Sequence, residues 1–413
     1  MTTFPLFLCD TWWFALTKRL DDKQFEEIAT LRVKQGFTAI QLVVGIPPEV
    51  GPDNLNAASP YGPAWNLKGE FNEEYLDFAK ARIKLLNSLG LKVIVYGAWG
   101  HQIEWLGVPK MKEWWRSIVK SLDDLDVMYC LTGEIDLWIS EEGRLLPDKS
   151  TDDLHSTKVR YFLHPRIKDL LTRLSGKYRH LITNRQIEVR KRRWSEVLSC
   201  LHGLTDKPII IHVARGTSNE AVSNNQFLSA VTIQTGHSEE SRQSLYQIPY
   251  ELKKRDPRVK FINLEPWYEG IMDKFGTEDQ LYAYWVTMMA GADSYCYGAH
   301  GVWNIGDGKF LSHWGEQTLE EAIELDTPRL LGISHKLFLD SKLTEYPETK
   351  VVEHSEKLHS ISKSSGKKRV TFYPDASSVR IEYDSKLRFF DPLIGRFTKE
   401  RPSKGQIVVF EDF

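Results

Sequence analysis

No stretch of this 413-residue chain approaches the ~20 consecutive apolar residues that crossing a bilayer requires. A membrane helix is therefore not expected, and 41% hydrophobic residues fit a soluble globular protein. An excess of charge of one sign is also missing. With 54 Lys and Arg against 56 Asp and Glu, the formal net charge is -2. That leaves no basic footprint for nucleic acid or an anionic membrane surface. Cysteine is scarce: Cys9, Cys130, Cys200 and Cys296 are too far apart for a disulfide framework or a zinc pattern, so a reduced, cytoplasmic setting is expected. The opening MTTFPLFLCDTWW has no basic n-region and meets an acid almost at once, unlike a secretory signal. GxSxG, Walker, dinucleotide and HExxH signatures are all missing, as are internal repeats and low-complexity segments. What the chain has in quantity is aromatic surface, with 13 Trp.

Short apolar runs alternate with longer amphipathic stretches, the rhythm of βα units around a parallel sheet. Eight runs read as strands: Phe4 to Cys9, Thr38 to Val44, Lys92 to Gly97, Val127 to Thr132, Pro208 to Val213, Ala230 to Gln234, Lys260 to Leu264 and Ser294 to Tyr297. Helical stretches between them include Asp22 to Lys34, Glu73 to Leu89, Met111 to Ser121, Ser238 to Lys254, Thr277 to Met289 and Thr318 to Phe338. Asp22, Asn72 and Thr277 read as N-caps. Eight repeats predict an α/β fold of the (β/α)8 (TIM) barrel type over residues 1–340. Residues 135–205 are too long for one connection, and charged helices around Arg166 to Leu174 and Asn184 to His202 suggest an insertion over the barrel mouth. From 341 to 413 the runs are short, alternating and broken by Pro, Gly, Ser and Asp. This predicts a small antiparallel, sandwich-like β-domain packed on the barrel.

The active site of a (β/α)8 barrel lies at the C-terminal strand ends, so the residues just past each run are where chemistry is sought. These carry Asp10, Trp12 and Trp13 after strand one, Gln41 near the end of strand two, and Trp99 and His101 after strand three. Glu134 follows strand four, Arg215 strand five, and Gln234 and His237 mark strand six. Glu265, Trp267, Tyr268 and Glu269 follow strand seven; Tyr297, His300 and Trp303 mark strand eight. Glu134 and Glu265 stand at equivalent places on distant strands, able to flank a bond over the mouth. A retaining glycosidase needs two carboxyls ~5–5.5 Å apart, one protonated and one ionised, and an inverting one holds them ~6.5–9.5 Å apart. Glu269 is the rival to Glu265. Trp rings offer stacking faces to sugar C–H groups, with hydroxyls taken by Asp, Gln, His and Arg. One of Trp12 and Trp13 is expected in the core, since adjacent residues point oppositely, and Trp114, Trp115 and Trp285 on helices read as packing.

Other chemistries fit less well. A Schiff-base barrel needs a lysine in the mouth, yet Lys92, Lys207 and Lys260 open their strands. His101, His237 and His300 could form a three-His metal site only by converging from three strands. The run Arg190-Lys191-Arg192-Arg193 reads as a solvated helix face.

FLCDTWW, YLDFAKARIKLLNSLGLKVIVYGAWG, TGE, HVARGTS, IQTGH, LEPWYEG and MAGADSYCYGAHGVWNIGDG, in that order, resemble the apiosidase-like glycoside hydrolases of family 140 and their relatives, across Phe4 to about Phe338. LRFFDPLIGRF is similar to the collagen-binding-type β-domain that often follows such barrels. The resemblance implies an acid/base on strand four and a nucleophile on strand seven, matching Glu134 and Glu265, and places Asp10, Gln234 and His237 in the sugar-binding shell. Cys9 stands where many relatives have glycine, and Glu134 follows Gly133 where clan relatives carry Asn. The expectation is a retaining, exo-acting glycosidase with a carbohydrate substrate and no metal or organic cofactor. A sugar-binding barrel without catalysis and a metal-dependent hydrolase are the alternatives.

Overall fold

The computed structural model describes residues 6–136, 185–379 and 387–412. Eight parallel strands form one sheet: β1 (Leu8–Trp12), β2 (Ala39–Val43), β3 (Lys92–Tyr96), β4 (Val127–Cys130), β5 (Ile209–Ile210), β6 (Val231–Gln234), β7 (Phe261–Glu265) and β8 (Ser294–Tyr297). Their order, β5-β4-β3-β2-β1-β8-β7-β6, is a barrel with its seam between β5 and β6. At the seam Ser229 N–H donates to the Ile209 carbonyl (2.8 Å) and the Thr232 hydroxyl to that of Ile211 (2.5 Å), so the circle closes although β5 is two residues long. The helices packed outside are α1 (Asp22–Lys34), α2 (Glu73–Ser88), α3 (Ile103–Leu122), α4 (185–202), α5 (Ser244–Arg255) and α6 (Thr277–Met289). After β8 come α7 (His300–Trp303), α8 (Leu319–Ile323) and α9 (Thr327–Asp340).

Local chemistry sets several of these bounds. Helix α1 starts one residue beyond its cap, Asp21, whose carboxylate accepts from Gln24 N–H in a capping box. Asn72 caps α2 by accepting from Tyr75 N–H, without the reciprocal bond of a box. Helix α3 begins eight residues before the predicted Met111 because a left-handed Gly107 (φ 72) lets a first turn join the periodic stretch. The predicted helix Thr318 to Phe338 is two helices, each with its own start: Thr318 caps α8, and Pro328 sits in the first turn of α9.

Of 135–205, residues 135–136 and 185–205 are described, and helix α4 runs where the second charged helix is expected. Helix α4 buries Trp194, Val197, Leu198 and Leu201 completely, ties Trp194 Nε1 to the Gly100 carbonyl (3.0 Å), and pairs Lys112 of α3 with Glu196. Its apolar stripe repeats at helical spacing and needs such a partner surface. The expected helix around Arg166 to Leu174 lies outside the described residues.

Beyond Asp340, strands β9 (Glu348–His354), β10 (Lys357–Ser365), β11 (Lys368–Tyr373), β12 (Arg388–Asp391), β13 (Arg396–Thr398) and β14 (Ile407–Asp412) form one six-stranded antiparallel sheet, ordered β13-β12-β14-β11-β10-β9. Among the described residues this is a single sheet rather than a sandwich. Alternation along β14 explains how it is buried: Val408 and Phe410 face the barrel core, while Ile407 and Val409 join Ala376, Val379 and Phe389 on the other face. On the barrel side, Trp285 of α6 stacks on Phe372 (6.2 Å, 10°), and Gln406 Nε2 donates to the Glu278 carbonyl (2.6 Å). Among the described residues no helix is long and apolar enough to cross a membrane.

Candidate active site

The pleat of β1 decides which of its residues reach the barrel mouth. Successive side chains of a strand point to opposite faces. Asp10 and Trp12 point outward to α1, where Asp10 Oδ2 accepts from Arg32 Nε (2.6 Å) and Trp12 Nε1 (2.8 Å), and Trp12 meets Phe25 edge-on. Both charges of this pair are completely buried. Thr11 points inward, and Trp13 follows it to the mouth, packed edge-on against Tyr96 and Trp99 at 4.8 and 5.2 Å. Asp10 therefore lies behind the cavity wall, and Trp13 is part of it.

A cavity of 210 Å³ opens at the C-terminal strand ends, lined among the described residues by Trp13, Trp99, Glu134, Gln234, His237, Glu265, Tyr268 and Trp303 from the sequence-derived set. Pro48, Glu49, Ile271 and Trp314 complete the lining. The other residues of that set do not line it. Gln41 is buried in the barrel, donating to Thr11 Oγ1 (2.7 Å) and the Leu264 carbonyl (3.0 Å) and accepting from Tyr96 (2.8 Å). His101 packs on Trp105 at 4.7 Å. Arg215 is exposed and holds Ser238. Glu269 is turned away and buried, accepting from Tyr297 (2.6 Å) and Thr327 (2.7 Å), which accounts for both Glu269 and Tyr297. His300 spends Nε2 on the Gly315 carbonyl (2.7 Å). Trp267 is stacked between Phe275 and Arg242, away from the cavity. The three histidines considered for a metal thus face different neighbours. Among the described residues no three His, Cys, Asp or Glu side chains are grouped to hold an ion.

Glu265 is placed by an irregularity. The β6–β7 register runs Ile233 opposite Asn263, then Gln234 opposite Glu265, so Leu264 is the extra residue of a bulge. The Leu264 carbonyl is the one that Gln41 satisfies from across the barrel. The bulge brings Glu265 beside Gln234, whose Nε2 donates to Oε1 at 2.8 Å. His237 Nε2 reaches the same oxygen at 2.9 Å, while its Nδ1 accepts from Tyr268 N–H (3.3 Å), which fixes the tautomer with the proton toward the carboxylate. His212 Nε2 lies 3.4 Å from Oε2. Burial pushes the Glu265 carboxyl up, but the His237 bond, the fields of His212 and His237 and the Gln234 bond outweigh it and hold it below the usual range. Burial lowers the pKa of His212.

Glu134 is held by the backbone around it. Gly133 N–H donates to the Ala98 carbonyl (2.9 Å), Gly100 N–H to that of Gly133 (2.7 Å), and Ile135 N–H to that of His212 (2.9 Å). Between these ties Glu134 adopts φ 38, a left-handed conformation that a residue with a Cβ keeps only where its surroundings over-determine it. Gly133 is required next to it, since a Cβ there would stand 2.3 Å from the Trp99 ring. That ring donates Nε1–H to Glu134 Oε2 at 3.0 Å. Burial first, and the Glu265 charge second, raise the Glu134 carboxyl to about 8, against the bonds from Trp99 and Gln234. The two carboxyls are thus driven apart in protonation.

The sequence model of the apiosidase-like catalytic domain matches residues 3–345. The chain belongs to the apiosidase-like family. As a member it is a glycosidase, with the matched region covering the whole barrel. A search of the curated proteins finds no match. Among solved structures, this apiosidase-like chain is similar to a family 5 glycoside hydrolase from Bacteroides vulgatus (TM-score 0.69, 12% identity, covering 99% of this chain and 90% of that one). A second glycoside hydrolase aligns at TM-score 0.67 and 12% identity, over 99% and 93% of the two chains. A family 5 enzyme from Bifidobacterium longum, solved with Manβ1-4GlcNAc, aligns at TM-score 0.52 and 12% identity, over 82% and 79%. At such identities these likenesses speak for the fold.

Four cavity residues were missed by sequence reasoning. Trp314 and Ile271 lie in loops beyond the strand ends, and Pro48 and Glu49 in a proline-rich turn. His212, which backs Glu265 without lining the cavity, sits inside a run read as continuous strand; a lone polar residue in an apolar run was the one signal available.

Proposed function

We propose that the chain is a retaining, exo-acting glycoside hydrolase in which Glu134 is the acid/base and Glu265 the nucleophile. The observation that carries this reading is the opposed protonation of two carboxyls facing one cavity: Glu134 raised to about 8, Glu265 lowered. At neutral pH Glu134 holds a proton to give to the departing glycosidic oxygen, while ionised Glu265 attacks the anomeric carbon. Once Glu265 is esterified its charge is gone, which removes one of the causes that raise Glu134. Glu134, now a carboxylate, takes a proton from water as that water attacks the anomeric carbon and releases Glu265. The 210 Å³ cavity supports exo action on a single terminal sugar, being smaller than the ~300–1,000 Å³ pockets of drug-sized ligands. Trp13, Trp99, Trp303 and Trp314 supply stacking faces. The four free cysteines, three of them buried, agree with a reducing compartment.

The test is Glu265→Gly on a glycoside that the wild type hydrolyses. Turnover should vanish and return with azide, yielding a glycosyl azide of inverted anomeric configuration. Wild-type-like activity, or hydrolysis with inversion by the native enzyme, overturns the assignment.

A further inference from the structure

A second cavity, of about 550 Å³, lies where the loops that lead into β7 and β8 meet strands β9 and β10 of the C-terminal sheet. Those loops precede their strands, so this cavity is at the end of the barrel opposite the one that carries Glu134 and Glu265. Alternation along β10 and β11 turns Ile361, Lys363, Val370 and Phe372 to the barrel side of the sheet. Lys363 is the charged member of that apolar row. It is 5% exposed and lines the cavity.

The Lys363 ammonium donates to Thr349 Oγ1 at 3.4 Å, a long bond for a group that carries three donors. A second ammonium stands near it and is already committed. Lys253 Nζ donates to Asp293 Oδ2 (2.9 Å) and to the Val259 carbonyl (2.6 Å). Asp293 is shared further with Lys260 (3.1 Å) and with Phe261 N–H (2.9 Å). Gly291, at φ 117, makes room for the Lys253 stem, since a Cβ there would stand 2.7 Å from its Cγ. Burial first and the Lys253 charge second bring Lys363 down to about 8, against the field of Asp293. An anion in the cavity would relieve both causes, by solvating the ammonium and by offsetting its like-charged neighbour.

The rest of the lining limits what that anion is. Tyr250, Met288, Phe338 and Tyr346 give it apolar and aromatic walls. Glu345 and Glu348, both exposed, border it together with Asp293, and they oppose a ligand of high negative charge. A single negative charge on a body that packs against rings suits both sets of groups.

We propose that this cavity is a binding site for a small organic monocarboxylate, whose carboxylate pairs with Lys363 and whose ring rests against Tyr250 and Tyr346. The site is separate from the catalytic cavity and does not depend on the glycosidase reading. Aryl acids and uronic acids both present this chemistry.

The experiment uses the full chain and calorimetric titration with benzoate and with glucuronate, with benzamide as the neutral counterpart of benzoate. At least one of the acids should bind with a Kd of roughly 0.1–10 mM, as ligands of so few atoms allow. Benzamide should bind roughly tenfold more weakly than benzoate or not at all. Lys363→Met keeps the stem and removes the charge; it should weaken binding of the acid roughly tenfold or more, while Tm without ligand stays the same or rises. Affinity of the wild type should fall about tenfold from pH 7 to pH 9, as Lys363 gives up its proton. Tighter binding of benzoate assigns the site to an aryl acid, and tighter binding of glucuronate to a uronic acid. Binding of neither acid, or binding unchanged in Lys363→Met, overturns the proposal. Should Lys363→Met not fold, photolabelling of the wild type with 4-azidobenzoate decides: label on the peptides that carry Tyr250, Tyr346 or Lys363 sustains the site, and label elsewhere or none refutes it.

Discussion

Replacing Glu134 by Gln should stabilise the folded protein in mildly alkaline solution while abolishing its activity. In the native structure the Glu134 carboxyl titrates at about 8 instead of 4.5, for want of solvent and because Glu265 is close. The sign follows from proton binding. Between pH 4.5 and 8 the folded state holds a proton at this site that the unfolded chain has lost, so stability falls as pH rises through that window. At ~1.4 kcal/mol per pH unit the full cost is on the order of 5 kcal/mol, an upper bound because Glu134 borders a cavity that admits water. Glutamine keeps the shape without the titration. Glu265, whose pKa is depressed, works in the opposite sense: it adds stability above the ordinary carboxylate range, and that contribution is lost as pH falls through its folded value. Urea unfolding of wild type and Glu134→Gln at pH 5 and pH 9 isolates the Glu134 part. The wild type should lose several kcal/mol more than the variant between the two conditions, and an infrared band of a protonated carboxyl at neutral pH should vanish in Glu134→Gln. Parallel pH dependence in the two proteins, together with a Glu134 ionised at pH 6, would refute the reasoning.

Gly133→Ala puts a methyl 2.3 Å from the Trp99 ring and breaks its bond to Glu134. Activity should drop by roughly 100-fold, with a stability loss of about 1–3 kcal/mol measured by urea midpoint. Arg32→Met strands Asp10 as an unpaired buried charge and should cost about 3–5 kcal/mol, whereas Arg32→Met with Asp10→Asn should recover much of it; a double variant no more stable than the single would contradict the ion-pair account.

The barrel was legible because each strand carries its own apolar run and the helices that follow β1 and β2 carry their own caps, Asp21 and Asn72. Strands β3, β4 and β6–β8 begin within one residue of expectation. Strand β1 was placed four residues early because the apolar opening was followed by Asp10 and Thr11, whose partners Arg32 and Gln41 come from other parts of the chain. The two central glutamates could be found because position relative to a strand end is a local property. Whether a neighbour faces the cavity or the helix layer depends on the pleat, and a shift of one residue exchanges the two. Asp10 and Tyr297 fell on the outer face for that reason, and Trp13 on the inner one. Glu49 and Trp314 had no local mark, because loop conformations are set by what they pack against.

The stack of Trp285 on Phe372 bears on how this chain could have been assembled in evolution. The C-terminal sheet does not hang from the barrel by a tether. It is mortised into α6, the helix that follows the strand ending in Glu265, and the two share one continuous interior. A module joined in this way cannot be shuffled freely between enzymes, because any barrel that accepts it must already present the matching aromatic face. Inheritance of the two parts should then be linked, with the tryptophan and the phenylalanine changing together or not at all.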